Sequence, residues 1–257
     1  MPDWGYPLLG MVPAALLIVI WLPMQLAGKA PSFERTDRLG STALIGKRAK
    51  AMFYWAFQPI GRGLLACHVT PNGITWASGV LGLAAGAAFS QSRPGLGAFI
   101  GFLSFAADAL DGLVARLGGT GSLAGEVIDA AMDRYVEFFW FIGVAFWYRQ
   151  DGPRLLLTMA ALVGATMVSY TSAKAEAMQA TIPGGAMRRV ERTVVLTLGA
   201  AFTSFAQPHA DLWQRLGVPA DWPLLVALLL VATLGNSSTF TRSAALMRAV
   251  MRKGSDA

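Results

Sequence analysis

The stretch "DALDGLVARLGGTGSLAGEVIDAAMD" places four aspartates, Asp108, Asp111, Asp129 and Asp133, among apolar segments. Asp108 and Asp111 are i, i+3, and Asp129 and Asp133 are i, i+4. Both spacings put the side chains on one face of a helix. A carboxylate inside sequence greasy enough to cross a bilayer is expensive and marks a functional site. The link "RLGGTGSLAG" is short, so the two helices are expected to be antiparallel neighbours with their acidic faces opposed. Four carboxylates that close repel one another unless cations sit among them. An all-oxygen set without His or Cys selects a hard cation, Mg²⁺, with Mn²⁺ as the alternative. Four shared carboxylates can hold two ions, and a two-ion site suits in-line displacement at phosphorus.

The residues between the aspartates fit the same chemistry. Gly112, Ala115 and Gly125 are small and let backbone and ligand approach closely, although small residues also serve helix packing. Arg116, one turn past Gly112, can grip a phosphate through its fork of N–H donors, or else pair with an aspartate or cap the helix end. Gly118, Gly119 and Gly121 form a turn.

The elements that must position these groups are membrane helices. The chain is 54% hydrophobic and 14% charged, where a soluble domain carries about 25% charged residues. Several apolar runs reach the ~20 residues of a bilayer span, and spans are expected near Gly5–Leu26, Ile74–Gln91, Gly95–Leu117, Leu123–Tyr148, Leu155–Ala177, Thr193–Gln207 and Pro223–Met247. The first run lacks a basic leader and a small-residue cleavage site, and is expected to remain as a helix. The next segment, "RAKAMFYWAFQPIGRGLLACHV", mixes basic and aromatic residues as an interfacial helix does. "TPNGIT" then breaks the chain ahead of the second apolar run. The expected organisation is an N-terminal span and loop over 1–50 and one helical domain over 51–257.

Placing the 28–50 loop in the cytoplasm gathers Lys29, Arg35, Arg38, Lys47, Arg48, Lys50, Arg188, Arg189, Arg248, Arg252 and Lys253 on one side. Only Arg93, Arg149, Arg154 and Arg215 stay on the other, as the positive-inside rule requires. The net charge of +6 therefore reads as membrane topology, with no nucleic-acid partner. The "GGTGS" turn then faces the cytoplasm. A single cysteine, Cys67, excludes an internal disulfide and is expected to be a small buried hydrophobe. His68 and His209 are too far apart in sequence to suggest a zinc site. Phe138, Phe139, Trp140, Phe146, Trp147 and Tyr148 read as lipid-facing or interfacial anchors.

The acidic stretch spells Asp108-x2-Asp111-Gly112-x2-Ala115-Arg116-x8-Gly125-x3-Asp129-x3-Asp133. At every fixed position this resembles the signature of the CDP-alcohol phosphotransferase family, and the resemblance runs from about Phe53 to Arg248. It implies an all-α integral membrane fold, a six-helix bundle and in most members a homodimer, here with one extra N-terminal transmembrane helix. It also implies two divalent ions and transfer of a phosphoalcohol from a CDP-alcohol to an acceptor hydroxyl, with release of CMP. By the same resemblance Asp108, Asp111, Asp129 and Asp133 are metal ligands, and Asp133 is also the general base. Asn72, Thr75, Gly112, Ala115, Arg116, Ser122 and Gly125 would line the CDP-alcohol site.

"SYTSAKAEAM" and "GGAMRRVERTVVL" resemble the phosphatidylinositol phosphate synthase branch, which joins CDP-diacylglycerol to inositol phosphate. Ser169, Tyr170, Ala173, Ala175, Glu176, Arg189, Glu191 and Arg192 match that branch. Lys174 stands where it has Arg, and Ser172 where it has Lys. A phosphorylated acceptor needs cations, and Lys174, Arg189 and Arg192 are the expected ones, with plain positive-inside anchoring as the alternative. Glycerol phosphate, serine, free inositol or another alcohol are the competing acceptors. A transporter is the competing class, but neither inverted repeats nor broken helices are visible. A bacterial inner membrane is the expected location.

Overall fold

The computed structural model describes residues 1–27 and 47–255. Lys29, Arg35 and Arg38 of the expected cytoplasmic loop lie outside the described residues, as do the side chains of Lys47, Arg48, Lys50 and Lys253. Among the described residues the chain is helical throughout, without a strand. The helices are α1 (Gly5–Leu26), α2 (Lys47–Ala66), α3 (Pro71–Ser90), α4 (Pro94–Leu117), α5 (Leu123–Trp147), α6 (Gly152–Ala177), α7 (Arg189–Ala206), α8 (Ala210–Arg215) and α9 (Trp222–Ser255).

Helix starts follow local chemistry. Thr70 caps α3 by accepting from the Gly73 N–H at 3.2 Å, and Pro71 takes the first position, where a missing N–H costs nothing. The helix therefore begins three residues before the expected Ile74. Asp151 caps α6 from the Arg154 N–H at 3.0 Å, again with a proline in the first turn. Between α4 and α5 the chain turns at Gly119, whose φ of +62° suits glycine.

This is an integral membrane protein. α1, α3, α4, α6 and the Trp222–Arg252 part of α9 are long and apolar enough to span a bilayer. α5 has 25 residues but carries Glu126, Asp129, Asp133, Arg134 and Glu137. α7 opens on Arg189, Glu191 and Arg192. The six helices α3–α7 and α9 make up the expected bundle set, and α1 is the additional N-terminal helix.

The chain divides into two compact units, one through Trp147 and one from Tyr148 onward. In the first unit, α4 and α5 both pack on α3. α3 and α5 cross at backbone contact. A Cβ on Gly86 would strike the Phe139 carbonyl, and one on Gly143 would strike the Gly86 carbonyl. Membrane helices associate by such close packing of small residues. α2 lies along α4 in step. Phe53 meets Phe105 with ring centroids 6.0 Å apart, Gly61 faces Leu113, and Leu65 reaches Gly118. α1 packs on α4 and α2, and buried Trp21 sits 5.6 Å from Trp55 of α2. Asp3, ahead of α1, accepts from the Gly95 and Leu96 N–H groups at 2.6 and 3.1 Å. It thereby satisfies the exposed N–H groups at the start of α4.

In the second unit, α9 packs on α6 and α7. Asn236 on α9 donates to the Ala160 carbonyl at 3.1 Å, and the Leu224 N–H donates to Thr203 Oγ1 at 3.0 Å. At the start of α9, buried Asp221 accepts from Tyr148 at 2.8 Å and pairs with Arg154 at 3.0 Å. Two sequence expectations fail here. Trp140 and Tyr148 are buried core residues, because the former packs on Phe89 and the latter holds Asp221. Cys67 is exposed, since it falls in the turn after α2.

Candidate metal and substrate site

The acidic residues occupy the last turns of α4 and the first turns of α5. One carboxylate oxygen each from Asp108, Asp111 and Asp129 lies within 4.8 Å of the others. Asp111 is buried and the other two are half-buried. An ion with bonds of about 2.1 Å spans such a gap after a small rotamer adjustment. The acceptor-only oxygen set fits a hard divalent cation and leaves nothing for a soft one. Asp133 stands one turn further along α5, half-buried, and outside that group of three.

The expected opposition of two acidic helices is therefore present, but a third helix takes part in it. Thr75 of α3 is buried and places its hydroxyl 2.6 Å from Asp111 Oδ2. A hydroxyl that grips one carboxylate oxygen fixes the orientation of the other, as supporting residues do at metal centres. Ser104 of α4 donates to the Ser78 carbonyl at 2.7 Å and locks α4 to α3 one layer deeper. At the mouth, Asn72 lies beside Gly125, where a Cβ would come 3.5 Å from Asn72 Oδ1. Ser122 accepts from the Gly125 N–H at 3.1 Å and starts α5. Asn72, Ser122 and Gly125 thus meet, and so do Thr75 and Asp111. Arg116 folds back over Gly112, where a Cβ would stand 2.9 Å from Nη1, and its guanidinium lies over the Tyr54 ring at 5.6 Å. Ala115 is half-buried on the same turn.

The second unit holds the expected cations. Arg192 is fully buried and donates to the Met187 carbonyl at 2.6 Å and to Ser169 Oγ at 3.2 Å. Glu191, also fully buried, accepts from the Arg188 N–H at 3.1 Å and closes the start of α7. Met187 adopts a φ of +58°, a strained state for a residue with a side chain, and this aims its carbonyl at Arg192. Arg189 is half-buried and Lys174 is exposed.

The sequence pattern did not single out Arg242. This buried arginine of α9 donates to the Val168 carbonyl at 3.3 Å and to Ser172 Oγ at 2.6 Å. Arg188 and Arg192 are its charged neighbours. Gly185 lets the loop lie against it, because a Cβ there would collide with Ser238 and Arg242. The available signal was a lone arginine in "NSSTFTRSAALM", a cation within an otherwise uncharged helix segment.

Comparison with known proteins identifies the family. Residues 68–247 match the sequence model of the CDP-alcohol phosphatidyltransferase family. The phosphatidylinositol phosphate synthase of Mycobacterium tuberculosis is 31% identical over 215 residues, covering 80% of this chain and 96% of that protein. The crystal structure of the Mycobacterium tuberculosis enzyme with CDP-DAG bound superposes with a TM-score of 0.64 at 29% identity, over 74% of this chain and 92% of that one. Its complex with manganese and citrate gives a TM-score of 0.65 at 29% identity, over 74% and 88%. With this match over most of its length, and three of the four signature aspartates gathered within 4.8 Å, the chain belongs to the CDP-alcohol phosphatidyltransferase family.

Proposed function

We propose that this protein transfers the phosphatidyl group of CDP-diacylglycerol to a polar acceptor hydroxyl, best read as that of inositol phosphate, and releases CMP. The observation that carries the reading is the convergence of Asp108, Asp111 and Asp129 to within 4.8 Å inside the family-matched stretch. These three aspartates together with Asp133 would hold two divalent ions. Bound there, Mg²⁺ or Mn²⁺ supplies charge stabilisation for the diphosphate and the CMP leaving group. Asn72, Thr75, Gly112, Ala115, Arg116, Ser122 and Gly125 hold the CDP moiety. Asp133 takes the proton from the acceptor hydroxyl as the new ester bond forms, a role open to a positioned carboxylate.

Lys174, Arg189 and Arg192 bind the acceptor phosphate, and Arg242 joins them. Its guanidinium at Ser172 returns a positive charge to the position where a lysine is missing, which favours a phosphorylated acceptor over serine or free inositol. Residues 1–50 add an N-terminal helix and loop to a catalytic domain over 51–257, and α1 packs on that domain through α4 and α2. The protein acts as a homodimer in a bacterial inner membrane with its site toward the cytoplasm. The test is CMP release by purified protein with CDP-diacylglycerol, Mg²⁺ and one acceptor at a time. Release with inositol phosphate alone is expected. Preference for serine or free inositol would overturn the acceptor assignment.

A further inference from the structure

The proposed function gives Arg116 a contact to the CDP moiety, and the role inferred for Tyr54 rests on that contact. An arginine at a helix end on the protein surface has many rotamers, and ordering it on a ligand costs binding energy. Here the guanidinium lies over the ring of Tyr54, 5.6 Å from its centroid. Tyr54 belongs to α2, upstream of the 68–247 segment that matches the family. The ring attracts the guanidinium through its charge, by a contact that consumes no conventional hydrogen-bond acceptor.

The helix that carries the ring is itself held. Its neighbours Phe53 and Trp55 pack on Phe105 of α4 and Trp21 of α1, and Phe53 stacks on Phe57 at 4.1 Å. Further along, Gly61 allows α2 to lie against Leu113 and Leu117, on the same helix that carries Arg116. The Tyr54 hydroxyl is buried, so the ring cannot swing out without unpacking α2.

We infer that Tyr54 is a positioning residue, an aromatic platform on α2 that fixes the Arg116 guanidinium for the CDP diphosphate. α1, through Trp21 and Trp55, braces that platform.

The test is a double-mutant cycle between Tyr54 and Arg116, read as the dissociation constant for CDP with Mg²⁺ and as KM for each substrate. Tyr54→Leu is expected to weaken CDP binding roughly tenfold, the size of a partly desolvated cation–π contact. KM for CDP-diacylglycerol rises alike, while KM for the acceptor stays within about twofold. Tyr54→Phe, which keeps the ring, retains CDP affinity. In an Arg116→Ala background Tyr54→Leu adds less than about twofold, because the two act as one contact. Tyr54→Met, closer in length to the native side chain, is the second ring-free variant if the leucine protein does not fold. Additive losses, or a Tyr54→Phe protein as weak as Tyr54→Leu, overturn the platform and leave the Arg116 contact intact. An Arg116→Ala protein with unchanged CDP affinity overturns both.

Discussion

The carboxylate group of the first unit and the arginine group of the second solve opposite problems with different means. The three converging aspartates come from two consecutive helices, and one hydroxyl, Thr75, supports them. Their mutual repulsion leaves the group dependent on a cation supplied from outside. The arginines are supported by the chain itself. Arg192 rests on the Met187 carbonyl and Ser169, and Arg242 on the Val168 carbonyl and Ser172. A guanidinium has five donors, and both arginines engage backbone carbonyls and hydroxyls of the scaffold with theirs. The carboxylate group thus calls for an external counter-charge, whereas the arginine group is held by hydrogen bonds within the chain.

That contrast can be broken most sharply at the aspartates. Asp111→Asn or Asp133→Asn is expected to lower turnover at least about a thousandfold while the protein keeps its helical content and detergent-solubilised size. Retained turnover in either would remove that residue from the assignment. Chelation should do the same to the wild type, and Mg²⁺ or Mn²⁺ should restore it. Activity that survives chelation would sink the dependence on a divalent ion.

On the basic side, Arg242→Ala is expected to raise KM for inositol phosphate by roughly 10- to 100-fold, the loss of a hydrogen bond to a charged group. KM for CDP-diacylglycerol should stay nearly constant. If both constants rise together, Arg242 is only part of the scaffold. A smaller effect sharpens the acidic side. Thr75→Val keeps the shape, removes the hydroxyl at Asp111, and should cost about tenfold in turnover. The smallest effect belongs to a pair outside both sites. Tyr148→Phe removes one of the bonds that hold Asp221, and should lower Tm by about 2–4 °C with unchanged turnover. A loss of turnover there would mean that the Asp221 cluster acts on the chemistry.

Local periodicity made the acidic site legible. Asp108, Asp111, Asp129 and Asp133 sit at helical spacings on two helices joined by a short glycine-rich turn, so sequence neighbours are also neighbours in space. Apolar runs of bilayer length likewise announce themselves, because a spanning helix must satisfy its own backbone and shed its charges. The end of α9 was harder to read, since "TRSAALMRAVMRKGS" continues the helix as polar sequence well past the expected Met247.

Composition and spacing alone therefore determined the membrane class, the helix order, the acidic signature and the kind of cation it suits. Tertiary structure decided which side chains meet across long separations. It brought Thr75 to Asp111, Tyr54 to Arg116 and Arg242 to Ser172, pairs 36 and 70 residues apart in the two hydrogen-bonded cases. It also turned Trp140 and Tyr148 inward, although aromatics near a helix end read as lipid anchors. The physical reason is the same in each case. A helix repeats its faces every 3.6 residues whatever surrounds it, but which face meets which neighbour depends on crossings such as that of Gly86 with Gly143, and no local pattern encodes those.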